Sequence, residues 1–116
     1  MYKNSVDFAV AYYQAMQDKN ISFIEKHVNP DIQFISPIAE TKGKTAYLEA
    51  VKKFIAVFNK LTIRAQLDAP DQATLIYDVD FPAPIGHIRT AALMTFKDNL
   101  VTRIELFFDA SSIKQN

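Results

Sequence analysis

Arg103 and Glu105 stand two residues apart in a run of strand-forming residues, so their side chains share one face. Such a pair inside an apolar setting is a polar anchor for a ligand. Glu105 can also act as a general base if burial raises its pKa, although the neighbouring guanidinium pulls the value back down. A structural ion pair, or a pair left in solvent, fits the same residues. His87 follows a proline-rich stretch and is the one histidine placed for acid–base work, the alternative being an ordinary strand-end histidine. Tyr13 either donates a hydrogen bond to a ligand carbonyl or is a core aromatic whose hydroxyl is satisfied elsewhere. Tyr12 points about 100° away from it on a helix and is expected outside any pocket. His27, near a helix end, complements the dipole there, and Asp109 reads as a turn or cap acceptor.

Other chemistries find no residues to carry them. The two histidines lack metal-ligand spacing, so no metal site is expected. Gly43 and Gly86 are the only glycines, which leaves no phosphate-cradling loop, and no nucleophile elbow is present. Cysteine is absent, which excludes disulfides, thiolate catalysis and Cys-type zinc sites. No cofactor is implied.

These residues must be positioned by helices in the first half and strands in the second. Val6, Ala9, Val10, Tyr13 and Met16 recur at helical spacing, with Asn4 or Ser5 as cap. Ser22 and Glu25 form a capping-box pattern for a short second helix that Asn29-Pro30 stops. Asp31 to Ser36 alternates as a strand, with Ile32, Phe34 and Ser36 on one side. A polar loop through Gly43 leads to a third helix striped by Tyr47, Leu48, Val51, Phe54, Ile55 and Phe58. Leu61, Ile63, Ala65 and Leu67 then alternate with polar residues, and so do Leu75, Tyr77, Val79 and Phe81. Ile85 to Lys97 and Leu100 to Ala110 make a long hairpin across Asp98-Asn99. Strands of that length curve, and a curved sheet backed by helices encloses a pocket. The pattern predicts an α+β fold, a mostly antiparallel bent sheet with three helices on one face.

The chain of 116 residues, 49% of them hydrophobic, fits one domain over 1–116. Thirteen basic residues balance thirteen acidic ones, so nothing favours a nucleic acid or an anionic membrane as partner. No apolar stretch approaches the ~20 residues that span a bilayer, and the N-terminus lacks a signal-peptide core. A soluble cytoplasmic protein is the expectation. In the final strand, Ile104, Leu106 and Phe108 form the more uniformly apolar set, with no further helix to cover it. That face is expected to pack against a second subunit, unless the sheet curls far enough to cover itself.

The pattern resembles the nuclear transport factor 2-like superfamily, which includes ketosteroid isomerases and SnoaL-like polyketide cyclases. The resemblance spans nearly the whole chain. It is carried by the opening helix ending Tyr13-Gln-Ala-Met-Gln-Asp-Lys-Asn, the short second helix, Asn29-Pro-Asp-Ile-Gln-Phe-Ile-Ser-Pro37, Gly43 before the third helix, and Val101-Thr-Arg-Ile-Glu-Leu-Phe-Phe-Asp109. It implies a cone of bent sheet closed by helices, usually dimeric. Ketosteroid isomerase chemistry needs a carboxylate base, with a tyrosine and a protonated aspartate on the enolate. The resemblance puts Tyr13 at the tyrosine, Ser36 at the base and Leu93, give or take one residue, at the aspartate. Two of the three groups are missing, so that isomerase activity is not expected.

The same alignment implies a cavity faced by Tyr13, Phe34, Ser36, Phe54, Phe58, Tyr77, Val79, Phe81, Leu93, Arg103, Glu105 and Phe107. Arg89 joins them if His87, Arg89 and Ala91 share the inward side; a one-residue bulge reverses that choice. Binding of a small apolar or aromatic molecule is the leading reading, oriented by Arg103, Glu105 and Tyr13. A SnoaL-like cyclase, isomerase or hydratase using Glu105 or His87 as proton carrier is the second. A dimeric protein-interaction module is the third.

Overall fold

The computed structural model describes residues 4–111 and Ile113. The elements run α1 (Ser5–Gln17), α2 (Ile21–Lys26), β1 (Val28–Ile35), β2 (Glu40–Lys42), α3 (Lys44–Val57), β3 (Lys60–Ala69), β4 (Gln72–Asp80), β5 (His87–Lys97) and β6 (Leu100–Phe107). They build an α+β cone: three helices on one side of a curved, unclosed sheet ordered β2-β1-β6-β5-β4-β3. Only β1 and β6 pair in parallel; every other neighbouring pair is antiparallel.

Local chemistry sets the element ends. The Asn4 side chain caps α1 by accepting from the Asp7 amide at 2.9 Å. Asn20, rather than the expected Ser22, caps α2 by accepting from the Phe23 amide, which leaves Ser22 inside the helix. Gly43 precedes α3 at φ +95°, a conformation that side chains resist, and its N–H bonds Ile32. Asp98 and Asn99 both take positive φ, as a two-residue hairpin turn between right-twisted strands requires. At the far end of α1, the Lys19 ammonium sits 3.8 Å from the Phe58 ring centroid and donates to the Phe58 carbonyl at 2.8 Å, tying α1 to the end of α3.

The core lies between the helices and the inner sheet face. Ala9, Tyr12 and Ile24 from the helices meet Ile32, Leu75, Ala92, Met94, Val101 and Ile104, all of them out of solvent. The expected polar loop before α3 contains the short strand β2, whose three residues are too few to show a period in sequence. The hairpin is shorter than the sequence suggests, since β5 begins at His87 and β6 ends at Phe107.

The facing of the long strands differs from expectation, and bulges are the reason. In β3, the register slips between Ile63 and Ala65, so Ala65 and Leu67 turn to the outer face, where Leu67 is 62% exposed. In the final hairpin the slip falls between Thr95 and Phe96, where Val101 and Arg103 flank one extra residue. Val101 and Ile104 therefore both point inward, although three positions separate them. Ile104, Leu106 and Phe108 are thus not an uncovered outer face. Ile104 is fully buried, and the other two line the hollow under the helices. The outer face carries Arg103, Glu105 and Phe107 instead, next to Arg89, Ala91 and Leu93 of β5.

Candidate functional site

A cavity of about 210 Å³ lies between the inner sheet face, α1 and α3. Helix α1 supplies Tyr13 and Met16; α3 supplies Tyr47, Ala50, Val51 and Phe54. The sheet supplies Phe34, Tyr77, Val79, Ile88, Thr90 and Leu106. Ser36, Ile38 and Ala39 from the β1–β2 turn and Phe81, Phe108 and Ile113 complete the wall. Ile38 is 53% exposed and marks the rim. No Asp, Glu, His, Lys or Arg lines this hollow among the described residues.

The polar equipment is a group of tyrosines. The Tyr12 hydroxyl, fully buried behind the wall, pairs with the Tyr47 hydroxyl. The Tyr13 ring leans on Tyr77 with centroids 4.8 Å apart, and on Tyr12 at 5.4 Å. Burial pushes Tyr13 up to about 12, with hydrogen bonding to Tyr77 pulling part of the way back. Tyr12, Tyr47 and Tyr77 are likewise raised, above all by burial. All four stay neutral phenols in ordinary buffers. Aromatic faces fill much of the rest: Phe34 lies 5.4 Å from Tyr47, and Phe54 meets the Phe81 edge at 5.8 Å.

Of the residues anticipated for the cavity, Tyr13, Phe34, Ser36, Phe54, Tyr77, Val79 and Phe81 line it. Phe58 does not; it is buried one layer back, stacked on Phe54 at 4.5 Å. The Ser36 hydroxyl is engaged in its own turn, accepting from the Ile38 and Ala39 amides and donating to the Ala39 carbonyl. Tyr12 stays out of the cavity, as its place on α1 suggested.

His87, Arg89, Leu93, Arg103, Glu105 and Phe107 are on the opposite side of the sheet. In β5 the buried residues are Ile88, Thr90, Ala92, Met94 and Phe96, which turns His87, Arg89 and Leu93 away from the hollow. Arg103 donates to Glu105 at 3.1 Å and to the Gln33 side chain at 3.0 Å, forming an ion pair on the outer surface. The carboxylate Asp78 is buried on that same outer face, between Arg89 at 2.8 Å, Arg64 at 3.2 Å and His87 at 3.4 Å. Hydrogen bonding from Arg89 holds its pKa below the usual value against the opposing effect of burial, with Arg89, His87 and Arg64 charges adding to it. Asp80 holds the other His87 ring nitrogen at 2.9 Å. This network spans three strands, β3, β4 and β5, and none of its residues lines the cavity.

Sequence reasoning missed Tyr47, Thr90, Ile88, Leu106 and Phe108 as lining groups. Ile88, Met94 and Phe96 alternate on one side of β5, a signal for its inward face that was present in the sequence. Tyr47 stood in the apolar stripe of α3, where nothing separates a wall residue from a core residue.

Solved structures match this fold over most of the chain. A protein from Kribbella flavida matches with TM-score 0.89 and 21% identity, covering 97% of this chain and 92% of its own. A putative polyketide cyclase from Sinorhizobium meliloti matches with TM-score 0.79 and 18% identity over 87% and 94%. A steroid delta-isomerase from Pseudomonas aeruginosa matches with TM-score 0.79 and 15% identity over 97% and 84%. No curated protein matches the sequence. The family model of the SnoaL-like domain matches residues 9–104, most of the chain's length, and the chain belongs to this family.

Proposed function

We propose that the protein binds a small apolar or aromatic molecule in the cavity between α1, α3 and the inner sheet face. The observation that carries this reading is the composition of the wall: seven aromatic residues (Tyr13, Phe34, Tyr47, Phe54, Tyr77, Phe81 and Phe108), aliphatic side chains and a few hydroxyls. Its volume suits one or two rings: about 150 Å³ takes up benzene, and drug-sized ligands begin at about 300 Å³. Cyclase or isomerase chemistry by proton transfer is the less supported reading, because it needs a group that accepts a proton near neutral pH. The two candidates for that task, Glu105 and His87, sit on the outer face. The test is extraction and mass spectrometry of protein purified from its native host. A stoichiometric ring-containing molecule is the expected result. An empty extract, with no affinity for neutral aromatic probes, contradicts the proposal.

We also propose that a second copy covers the outer sheet face. Half-buried Ile76 and Leu93 and 55% exposed Phe107 form its apolar centre. The Arg64–Asp78–Arg89 and Arg103–Glu105 clusters flank it. Each cluster holds both signs of charge, so the patch can meet its own copy about a two-fold axis without like charges opposed.

A further inference from the structure

In β5 the residues turned toward the helices are Ile88, Thr90, Ala92, Met94 and Phe96, an apolar row with a single hydroxyl in it. Thr90 is 4% exposed, borders the cavity and stands opposite Tyr77 on the β4–β5 ladder. The neighbouring inward rungs are Val79–Ile88 on one side and Leu75–Ala92 on the other, all apolar. Valine has the same branched shape, suits a strand equally well and brings no polar atom into the core. A buried hydroxyl without a partner weighs against folding, so its presence here needs a reason outside the fold.

The other polar side chains of the wall are engaged. Ser36 is held within its own turn, Tyr47 pairs with Tyr12, and Tyr13 hydrogen-bonds Tyr77. No hydrogen bond reaches the Thr90 hydroxyl from any described residue. Thr41 also has a buried hydroxyl without a partner among those residues, but it does not border the cavity.

A hydroxyl has one proton to give and two lone pairs to offer. A ligand N–H or O–H bonded to the Thr90 oxygen would leave the Thr90 proton unmatched. A ligand acceptor takes that proton and leaves over lone pairs alone, which buried oxygens tolerate better than a donor tolerates isolation. A carboxylate would accept too, but it would give up water in a hollow where no described residue supplies a positive charge.

We propose that Thr90 is a specificity-determining donor on the sheet wall, so that the cavity favours uncharged one- or two-ring molecules bearing a proton-free acceptor atom, such as a ring nitrogen, beside the Thr90–Tyr77 rung. The proposal rests on the cavity being a binding site, and its test separates the two ideas.

Naphthalene, quinoline and isoquinoline share one outline and differ by a ring nitrogen. Calorimetric titrations in mildly alkaline buffer, where both azaarenes are uncharged, compare the intact protein with Thr90→Val and Thr90→Ser. Thr90→Val is expected to weaken at least one azaarene roughly threefold to tenfold, the weight of one hydrogen bond, while changing naphthalene by less than about twofold. Thr90→Ser keeps the hydroxyl and is expected to restore most of the lost affinity. Without ligand, Thr90→Val is expected to melt at or above the temperature of the intact chain, since no hydrogen bond within the protein is lost. A Thr90→Val protein that melts well below the intact chain, or fails to fold, shows the hydroxyl serving the fold and overturns the proposal. So does naphthalene binding with neither azaarene weakened in Thr90→Val, or with all three probes weakened alike. Absence of binding by all three overturns the cavity reading along with it.

Discussion

The Asp78 carboxylate accepts two hydrogen bonds from Arg89, at 2.8 Å from Nε and 3.3 Å from Nη2, across one rung of the β4–β5 ladder. The pair is bidentate, and Arg64 and His87 approach the same carboxylate. It is the densest charge cluster described in the molecule, and it lies away from the cavity.

This cluster ties stability to acid. The folded Asp78 pKa is depressed, chiefly by hydrogen bonding from Arg89. A depressed carboxylate stabilises the fold fully above its unfolded pKa of about 3.9, and the contribution fades as pH falls through the folded value. Melting temperatures followed from neutral pH into acid should therefore drop more steeply for the intact chain than for Asp78→Asn. Parallel curves for the two proteins would contradict the assignment.

The tyrosine pair predicts an asymmetry. Tyr12→Phe removes one hydrogen bond and leaves Tyr47 free to turn to the cavity, a loss of about 1 kcal/mol. Tyr47→Phe strands the Tyr12 hydroxyl in the core without its partner, which costs about 1–3 kcal/mol. Urea denaturation should rank Tyr47→Phe below Tyr12→Phe. The reverse order would mean that the Tyr12 proton does not depend on Tyr47.

Thr41 offers a gain instead of a loss. Its Oγ1 is buried and finds no hydrogen-bond partner among the described residues. Valine keeps the branched shape and removes the stranded hydroxyl, so Thr41→Val should stabilise the fold by about 1 kcal/mol. A lowered urea midpoint would show that the hydroxyl is doing something useful where it sits.

The two faces of β6 should respond in opposite ways to a charge. Ile104 is 0% exposed and packs under the helices, so Ile104→Asp should cost several kcal/mol and unfold much of the protein. Phe107 is 55% exposed on the outer face, so Phe107→Asp should leave the fold intact and split the proposed pair of copies. Sedimentation of Phe107→Asp as the same species as the intact chain would remove the outer face as the contact.

Much of the architecture was legible in the residues, because it depends on local signals. Asn4 capping α1, Gly43 before α3 and the Asp98-Asn99 turn each leave a mark in a few adjacent positions. Cavity residues on elements of unbroken period, such as Tyr13, Phe54, Tyr77 and Val79, were legible too. The facing of Arg103, Glu105 and Phe107 was not. One extra residue, Thr102, inverts everything after it, and a bulge carries no compositional mark of its own. In β5 the pattern of Ile88, Met94 and Phe96 was available, but Thr90 and Ala92 dilute it, and the alignment to a three-group active site favoured the opposite phase. Tyr47 depended on a different kind of knowledge, namely which helix residues border empty space.

The central claim is that neutral ring-containing molecules occupy the hollow beneath α3. Ala50 lines that hollow from the helix, and Ala50→Phe fills part of it without adding charge. Calorimetry with 2-acetylnaphthalene on the intact chain and on folded Ala50→Phe is the most direct measurement. Saturable binding to the intact chain, lost or at least about tenfold weaker in the filled variant, is the predicted result. Equal binding to both would place the ligand elsewhere and contradict the account.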